Sequence, residues 1–317
     1  MTRNNPSISV VMPTYDEVDR LCAALTSLSR QDYPTDQVEI IVVDDASPTP
    51  ADAEKLEQAL APFTLKLLKH ETNQGRARAR NTGLRCAAGD IIVFLDSDMT
   101  VESDFFRTHA TGHERNEETV FIGNIVWGRD IPPSALTRYV ERRGVHRIDG
   151  RGSVHFKCFV TGNSSLRRDL LERVGFFDED FTVYGGEDLE LGYRLFKAGV
   201  QFEYLEDAVS HHNHIRPLDQ LCRLMYAYGQ GSIPILVDKH PELAPVLRLD
   251  FLQQPILSPK RILLKTALLP GIHRPFYWAA ALLINWRVPD LLFDYLLWNS
   301  RTRGYVQKMV EKKSKFN

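Results

Sequence analysis

The sequence predicts an α/β fold, a mostly parallel, doubly wound sheet followed by a C-terminal helical extension. Three features predict it. Short β-branched apolar runs at 8–12, 40–43 and 91–95 suit strands buried on both faces of a parallel sheet. Helix-period segments separate these runs, and strands alternating with helices imply parallel pairing through right-handed crossovers. Each run also stops near acidic residues: Asp16 and Glu17, then Asp44 and Asp45, then Asp96 and Asp98.

After the first strand, Leu21, Leu25 and Leu28 recur at helical spacing and give a helix one apolar stripe. Pro34 closes the loop that follows. The second strand ends at Asp44 and Asp45, residues 46–50 form a turn, and a helix is expected over 51–60. A short third strand is expected over 64–68. Gly75 opens a helix running to about residue 88, and Gly89 ends it before the strand at 91. From 104 to about 152 the pattern loosens, apart from a strand at 121–127. Residues 156–166 are expected to return to the sheet. A helix over 187–198 carries Leu191 and Leu195 on one face, with Gly199 at its end. A strand at 202–205 then leads to His211, His212 and His214. Beyond about 215 the chain is helical and aromatic-rich with Pro breaks, and shows no internal repeat. One domain over 1–214 with an extension over 215–317 is expected, rather than two globular domains.

Composition narrows the function. Lys plus Arg number 39 against 41 Asp plus Glu, a near-balance that speaks against nucleic acid as the main partner. Cys22, Cys86, Cys158 and Cys222 lie far apart, without the paired spacing of a zinc site or redox dithiol. Four buried, reduced thiols of a cytoplasmic protein are expected. The first six residues lack the apolar core of a signal peptide. The uncharged stretch 275–286 is shorter than the ~20 residues that span a bilayer.

In open α/β sheets ligands bind at the carboxyl ends of the strands. Carboxylates gathered there repel an anionic ligand unless a hard cation sits between them, so a metal–diphosphate site of a nucleotide-dependent enzyme is expected. Asp96-Ser97-Asp98 directly follows a strand, and Mg or Mn bridging two phosphate oxygens needs only one or two carboxylates. Asp45 is placed to accept from a pyrimidine N–H, with Tyr15 stacking on the base and Glu17 reaching ribose hydroxyls. The competing reading makes Asp45 a cap for the next helix. Gly75 and the three arginines of 73–81 mark a helix start that attracts phosphate. Arg76, nearest that start, is the preferred ligand, and Arg80 is expected in structural salt bridges.

Together, Pro13-Thr14-Tyr15 with Glu17, the run ending at Asp45, the 73–81 segment and Asp96-Ser97-Asp98 resemble the inverting family 2 glycosyltransferases of GT-A fold. Residues 161–165, 174–179 and 184–195 are similar to a galactosyltransferase-like acceptor region. The resemblance covers roughly residues 7–214. It implies a nucleotide-sugar half over about 7–100 and an acceptor half over about 101–214. It also implies a UDP-sugar donor held by Pro13, Thr14, Tyr15, Glu17, Asp45, Gly75, Arg76, Asp96 and Ser97. A Mn or Mg ion on Asp98 and Asp96 is implied, together with a glycan, glycolipid or small-molecule hydroxyl acceptor. Asp188 matches the family's catalytic base, with Glu187 supporting it. The metal often gains a histidine near the domain's end; His211 is preferred, with His212 and His214 competing. A nucleotidyltransferase would carry a Gly-rich basic loop after the first strand, where this chain has Pro13-Thr14-Tyr15. A non-catalytic glycan-binding module would not need Asp98 and Asp188.

The last hundred residues are unusually apolar, with Trp278, Trp286 and Trp298 set among Arg and Lys. Packing within the protein or a homodimer is preferred, with peripheral contact at the inner face of a membrane, or a lid over the acceptor site, as alternatives.

Overall fold

A computed structural model describes residues 5–50, 52–143, 153–255 and 257–314. The expected helix start at 51 and the end of the loosely patterned stretch at 144–152 lie outside the described residues. In chain order the elements begin β1 (Ile8–Thr14), α1 (Val18–Leu28), β2 (Val38–Asp44), α2 (Ala53–Leu60), β3 (Thr64–Lys69), α3 (Arg76–Cys86) and β4 (Ile91–Leu95). Then come β5 (Met99–Val101), α4 (Phe105–Arg115), β6 (Thr119–Trp127), α5 (Ala135–Glu141), β7 (Asn163–Arg167), α6 (Arg168–Val174), α7 (Glu187–Lys197) and β8 (Gln201–His212). The chain ends with α8 (Leu218–Gln230), α9 (Ser232–Lys239), α10 (Pro259–Ala267), α11 (Pro270–Leu282) and α12 (Asp290–Ser314). Two compact units result: one of Met1–Ile131, Glu141–Glu179 and Glu187–His214, the other of Pro132–Val140, Asp180–Gly186 and Ile215–Asn317.

The first unit is built on an eight-stranded sheet in the order β3-β2-β1-β4-β7-β6-β8-β5. Strands β3, β2, β1 and β4 run parallel, and β7 enters antiparallel to β4. Every residue of β4 is buried, as the unbroken apolar run requires of a strand covered on both faces. On one face Val10, Met12, Ile40, Val42, Ile91 and Val93 meet the Leu21–Leu25–Leu28 stripe of α1. On the other, α3 approaches so closely that a Cβ at Gly83 would lie 2.7 Å from Val11 Cγ1. Register sets Thr14 opposite Asp44 and Val11 opposite Phe94, so the chain leaves β1, β2 and β4 at one sheet edge. That edge collects the acidic residues.

Several local expectations change. The helix after β2 is capped by Asp52, whose carboxylate accepts from the Glu54 amide at 3.0 Å, so Asp45 is released from capping. Of residues 156–166 only 163–166 join the sheet, and Phe156–Cys158 makes a single 3-10 turn. Among the cysteines only Cys158 is buried; Cys86, the last residue of α3, is exposed, and all four are free thiols. Strand β8 runs well beyond the expected 202–205, its alternation obscured by Glu203, Glu206 and Asp207 and by a bulge opposite Gly123 and Asn124.

A buried polar network fixes β7. His109 of α4 bonds Ser165 Oγ at 2.8 Å and Asn163 Oδ1 at 3.1 Å, and His113 bonds Ser165 Oγ at 2.9 Å. Asn163 Nδ2 donates to the Ala208 carbonyl and to Ser210 Oγ. All five side chains are buried, so both imidazoles are held neutral: burial lowers His109 to about 4, and burial followed by His109 lowers His113 to about 3. With folded values below the unfolded one, the unfolded chain binds more protons as pH falls through 6.5, and stability falls with it. Going from pH 7 to pH 5 is expected to cost about 2 kcal/mol per histidine. A melting series checks this, and a His113→Phe variant whose melting temperature falls as steeply as the native protein's over that interval would contradict it.

Among its described residues, the regular elements of the second unit are all helices. Its core gathers Leu218, Ala280, Phe293, Leu296, Leu297 and Tyr139, and the Tyr139 hydroxyl donates to Asp294 at 2.8 Å. Helices α8 and α12 meet at glycine: a Cβ at Gly229 would overlap the Arg301 carbonyl, and one at Gly304 the Tyr226 carbonyl. Among the described residues no helix is long and apolar enough to cross a membrane.

Candidate active site

All the predicted site residues belong to the first unit. Pro13 and Thr14 end β1, Tyr15 stands exposed just beyond, and the turn continues through Asp16 at φ 55°. The matching turn after β2 passes through Ala46 at φ 64°. Ser47 ties the two turns, accepting from the Asp16 amide at 2.9 Å while its own amide donates to Asp44 at 2.9 Å.

Asp45 is buried and already committed. Its Oδ1 accepts from the Gln74 amide at 2.9 Å and meets His70 Nδ1 at 2.6 Å, and its Oδ2 accepts from the Gly75 amide at 2.8 Å. His70 is held in turn by Thr82. The carboxylate thus holds the 70–75 loop at the mouth of α3, and takes the two amides there that the sequence reading left for a phosphate. Gly75 is the N-cap, at φ 88°, and Arg76 is the exposed first residue of the helix.

The other arginines of this helix pair with acidic residues. Arg78 Nε donates to Glu179 at 2.8 Å, and Asn81 exchanges hydrogen bonds with the Phe177 backbone. With Arg85, these groups hold Glu179 down to about 2, its Asn81 hydrogen bond contributing most. Arg80 is 1% exposed and lies among three carboxylates: Asp96 at 3.0 Å, Glu187 at 3.2 Å and Asp188 at 4.0 Å. One buried cation therefore joins the first aspartate of Asp96-Ser97-Asp98 to the acidic pair opening α7. The sequence assigns Arg80 to salt bridges; its place between the two acidic centres is a tertiary result.

Asp188 is partly exposed and accepts from Thr161 Oγ1 at 3.1 Å. Desolvation, then Glu187, push its carboxyl up to about 7, with Arg80 opposing. A carboxylate poised near neutrality, fixed by a hydroxyl and reachable from solvent, suits a general base. The supporting frame is again an arginine: Arg194 of α7 binds Glu190 and the Val174, Gly175 and Phe176 carbonyls, which seats the loop leading into this corner.

The second acidic centre is Glu17, Asp98 and His214, whose ligand atoms all lie within 4.8 Å of one another. His214 Nδ1 is 3.5 Å from Glu17 and 3.7 Å from Asp98, and His212 Nε2 is 3.2 Å from the same Asp98 oxygen. Ser97 Oγ donates to Glu17 at 3.3 Å. His211 is not among them. It is the register partner of Thr100 in the β5–β8 pair and bonds Glu102 at 2.7 Å, so the structure brings His212 and His214, and not the preferred His211, to Asp98. Neighbouring strand residues face opposite ways, and the register, invisible in sequence, decides which histidine returns to Asp98. Glu17, expected at the ribose, lies in this cluster. Two carboxylates and an imidazole form a hard-oxygen, borderline-nitrogen donor set that fits Mn or Mg.

Residues 9–175, more than half of the chain, match the model of glycosyl transferase family 2. The chain belongs to this family. Residues 148–217 also match a model described as the N-terminal domain of galactosyltransferase. Among curated relatives, the uncharacterized glycosyltransferase YfnE of Bacillus subtilis is 29% identical over 253 residues, a match covering 64% of this chain and 64% of that protein. Solved structures agree on the GT-A fold. The mannosyltransferase PcManGT of Pyrobaculum calidifontis, in complex with GDP-Man and Mn2+, superimposes with a TM-score of 0.61 at 21% identity, over 98% of this chain and 87% of that one. S. aureus TarS 1–349, in complex with UDP-GlcNAc, gives 0.57 at 19% identity, over 97% and 92%. The family is one of glycosyltransferases, which sets aside the nucleotidyltransferase and binding-module alternatives.

Proposed function

We propose that the chain is a metal-dependent, inverting glycosyltransferase that moves a sugar from a UDP-sugar to a hydroxyl of a growing polysaccharide, glycolipid or glycoconjugate. The observation that carries this reading is the pair of acidic centres separated by buried Arg80. An inverting transfer needs a base on the acceptor side and charge neutralisation on the leaving-group side, and one site cannot serve both. Asp98, Glu17 and His214 would hold the divalent cation, which when bound would neutralise the leaving diphosphate. Asp188 takes the proton of the acceptor hydroxyl as that oxygen bonds the anomeric carbon and the bond to the diphosphate breaks. Thr161 orients the Asp188 carboxylate for this, and Glu187, turned to Arg80, keeps the base from swinging towards the donor side. Asp45 serves the nucleotide through the loop it holds, with Tyr15 offering a ring to the base. Apart from His214, donor residues fall within 7–100, and acceptor residues fall within 101–214. Support for the donor class comes from the UDP-GlcNAc and GDP-Man complexes of the superimposable structures.

A donor panel tests this. Nucleoside diphosphate release is followed with Mn or Mg and again with chelator, and product configuration is read by proton NMR. Metal-dependent release from one UDP-sugar with inversion at the anomeric carbon is expected. Silence across all donors, with no thermal shift by any nucleotide, would overturn the reading.

A further inference from the structure

The second unit presents an apolar face that nothing within the unit covers. Trp278 and Leu282 of α11 are 63% and 79% exposed, and Trp286, just past its end, is 77% exposed. Arg274, Trp278 and Leu282 are spaced by four and share one helix face. Leu263, Leu269 and Phe276 of the same stretch are exposed as well. Of the preference for packing within the protein or a homodimer, packing within the unit does not account for these residues. Nor is this a loose segment. Ala280 is fully buried, the Ala135 amide donates to the Ile284 carbonyl at 2.8 Å, and Arg138 Nη2 donates to the Trp286 carbonyl at 2.7 Å. The backbone is held while the indoles face outward, and a large apolar surface of this kind marks an interaction site.

Charge identifies the occupant. Between Asp250 and Asp290 the sequence has no Asp or Glu, but it has Lys260, Arg261, Lys265, Arg274 and Arg287, in a chain whose net charge is −2. Lys260 pairs with Asp250, and Arg261 donates to the Gln254 carbonyl. Lys265, Arg274 and Arg287 are exposed and enter no ion pair among the described residues. A second copy of the chain would bring the same cationic stretch against itself, because a two-fold interface pairs like patches. An anionic lipid surface matches both features: apolar and indole groups seat at headgroup depth, and Lys and Arg reach the phosphates.

We propose that α10, α11 and the segment through Arg287 bind the surface of an anionic bilayer, with Trp278, Leu282 and Trp286 inserted at headgroup level. The binding is peripheral and independent of the catalytic residues. The full chain is floated with phosphatidylcholine vesicles with and without phosphatidylglycerol. Binding only to the anionic vesicles, weakened by added salt, is expected. Replacing Lys265 and Arg274 together by Gln lowers partitioning roughly fivefold per charge. Trp278→Ser with Trp286→Ser abolishes both flotation and quenching of tryptophan emission by brominated acyl chains. All four positions are exposed, so circular dichroism of the variants should match the native protein. Asp98→Ala floats like the native chain, which separates this inference from the catalytic one. No flotation with anionic vesicles, flotation unchanged by the tryptophan pair, or a vesicle-free dimer broken by that pair would overturn it.

Discussion

Replacing Asp188 by Asn is expected to lower turnover roughly 10²- to 10⁴-fold, the range a positioned general base contributes. The amide keeps the shape and the Thr161 contact but cannot accept the acceptor's proton. Donor binding should change little, because the cation cluster at Glu17, Asp98 and His214 is untouched. The melting temperature should hold or rise, since a carboxylate that burial and Glu187 press towards protonation is relieved of its charge. In the native enzyme the base must be ionised, so with its carboxyl up to about 7 the rate falls tenfold per unit below that pH. Turnover of the variant within threefold of native, or a native rate flat from pH 5 to 8, would show that another group takes the proton.

Arg80→Met is expected to be the most destabilising single change in the first unit, about 3–5 kcal/mol at neutral pH. The substitution fits the space but leaves Asp96, Glu187 and Asp188 gathered with no cation between them. The Asp188 carboxyl, already raised, would then be pushed further up, a cost present above its raised value and relieved as pH falls and it protonates. Urea midpoints at pH 8 and pH 5.5 therefore should differ, with the larger loss at pH 8. Arg80→Lys should recover part of it as a point charge without the fork. Equal losses at both pH values would mean that Arg80 matters through packing alone.

Parts of the site that rest on one element were legible in the sequence. The apolar runs ending at Asp45 and Asp96 are strands because β-branched side chains with no polar partner can only be buried, and the 21–25–28 stripe faces them for the same reason. The acidic residues followed, since the chain must leave adjacent parallel strands at one edge. Parts that rest on two distant elements were not legible. Asn163-Ser164-Ser165 is polar along its whole length, yet it is fully buried, and His109 and His113 on α4 hold Asn163 and Ser165 there. Asp45 reads as a ligand or a cap; Asp52 takes the capping, and the Asp45 carboxylate holds the 70–75 loop, a contact that no local pattern announces. His211 was preferred by its nearness to a strand expected to end early. The strand continues to His212, and pairing with β5 turns His211 to Glu102. A reading that extended the alternation of 201–212 would have put His211 and His212 on opposite faces, although it could not have chosen between them.

The most direct test of the account is Mn2+ binding in the presence of UDP, followed by the electron paramagnetic signal of free Mn2+. The native chain, Asp98→Ala, His214→Ala and His211→Ala are compared. UDP-enhanced binding by the native chain, at least roughly tenfold weaker in Asp98→Ala and His214→Ala and unchanged in His211→Ala, is the expected result. No Mn2+ binding by the native chain, or loss in His211→Ala with His214→Ala unaffected, would contradict the site described.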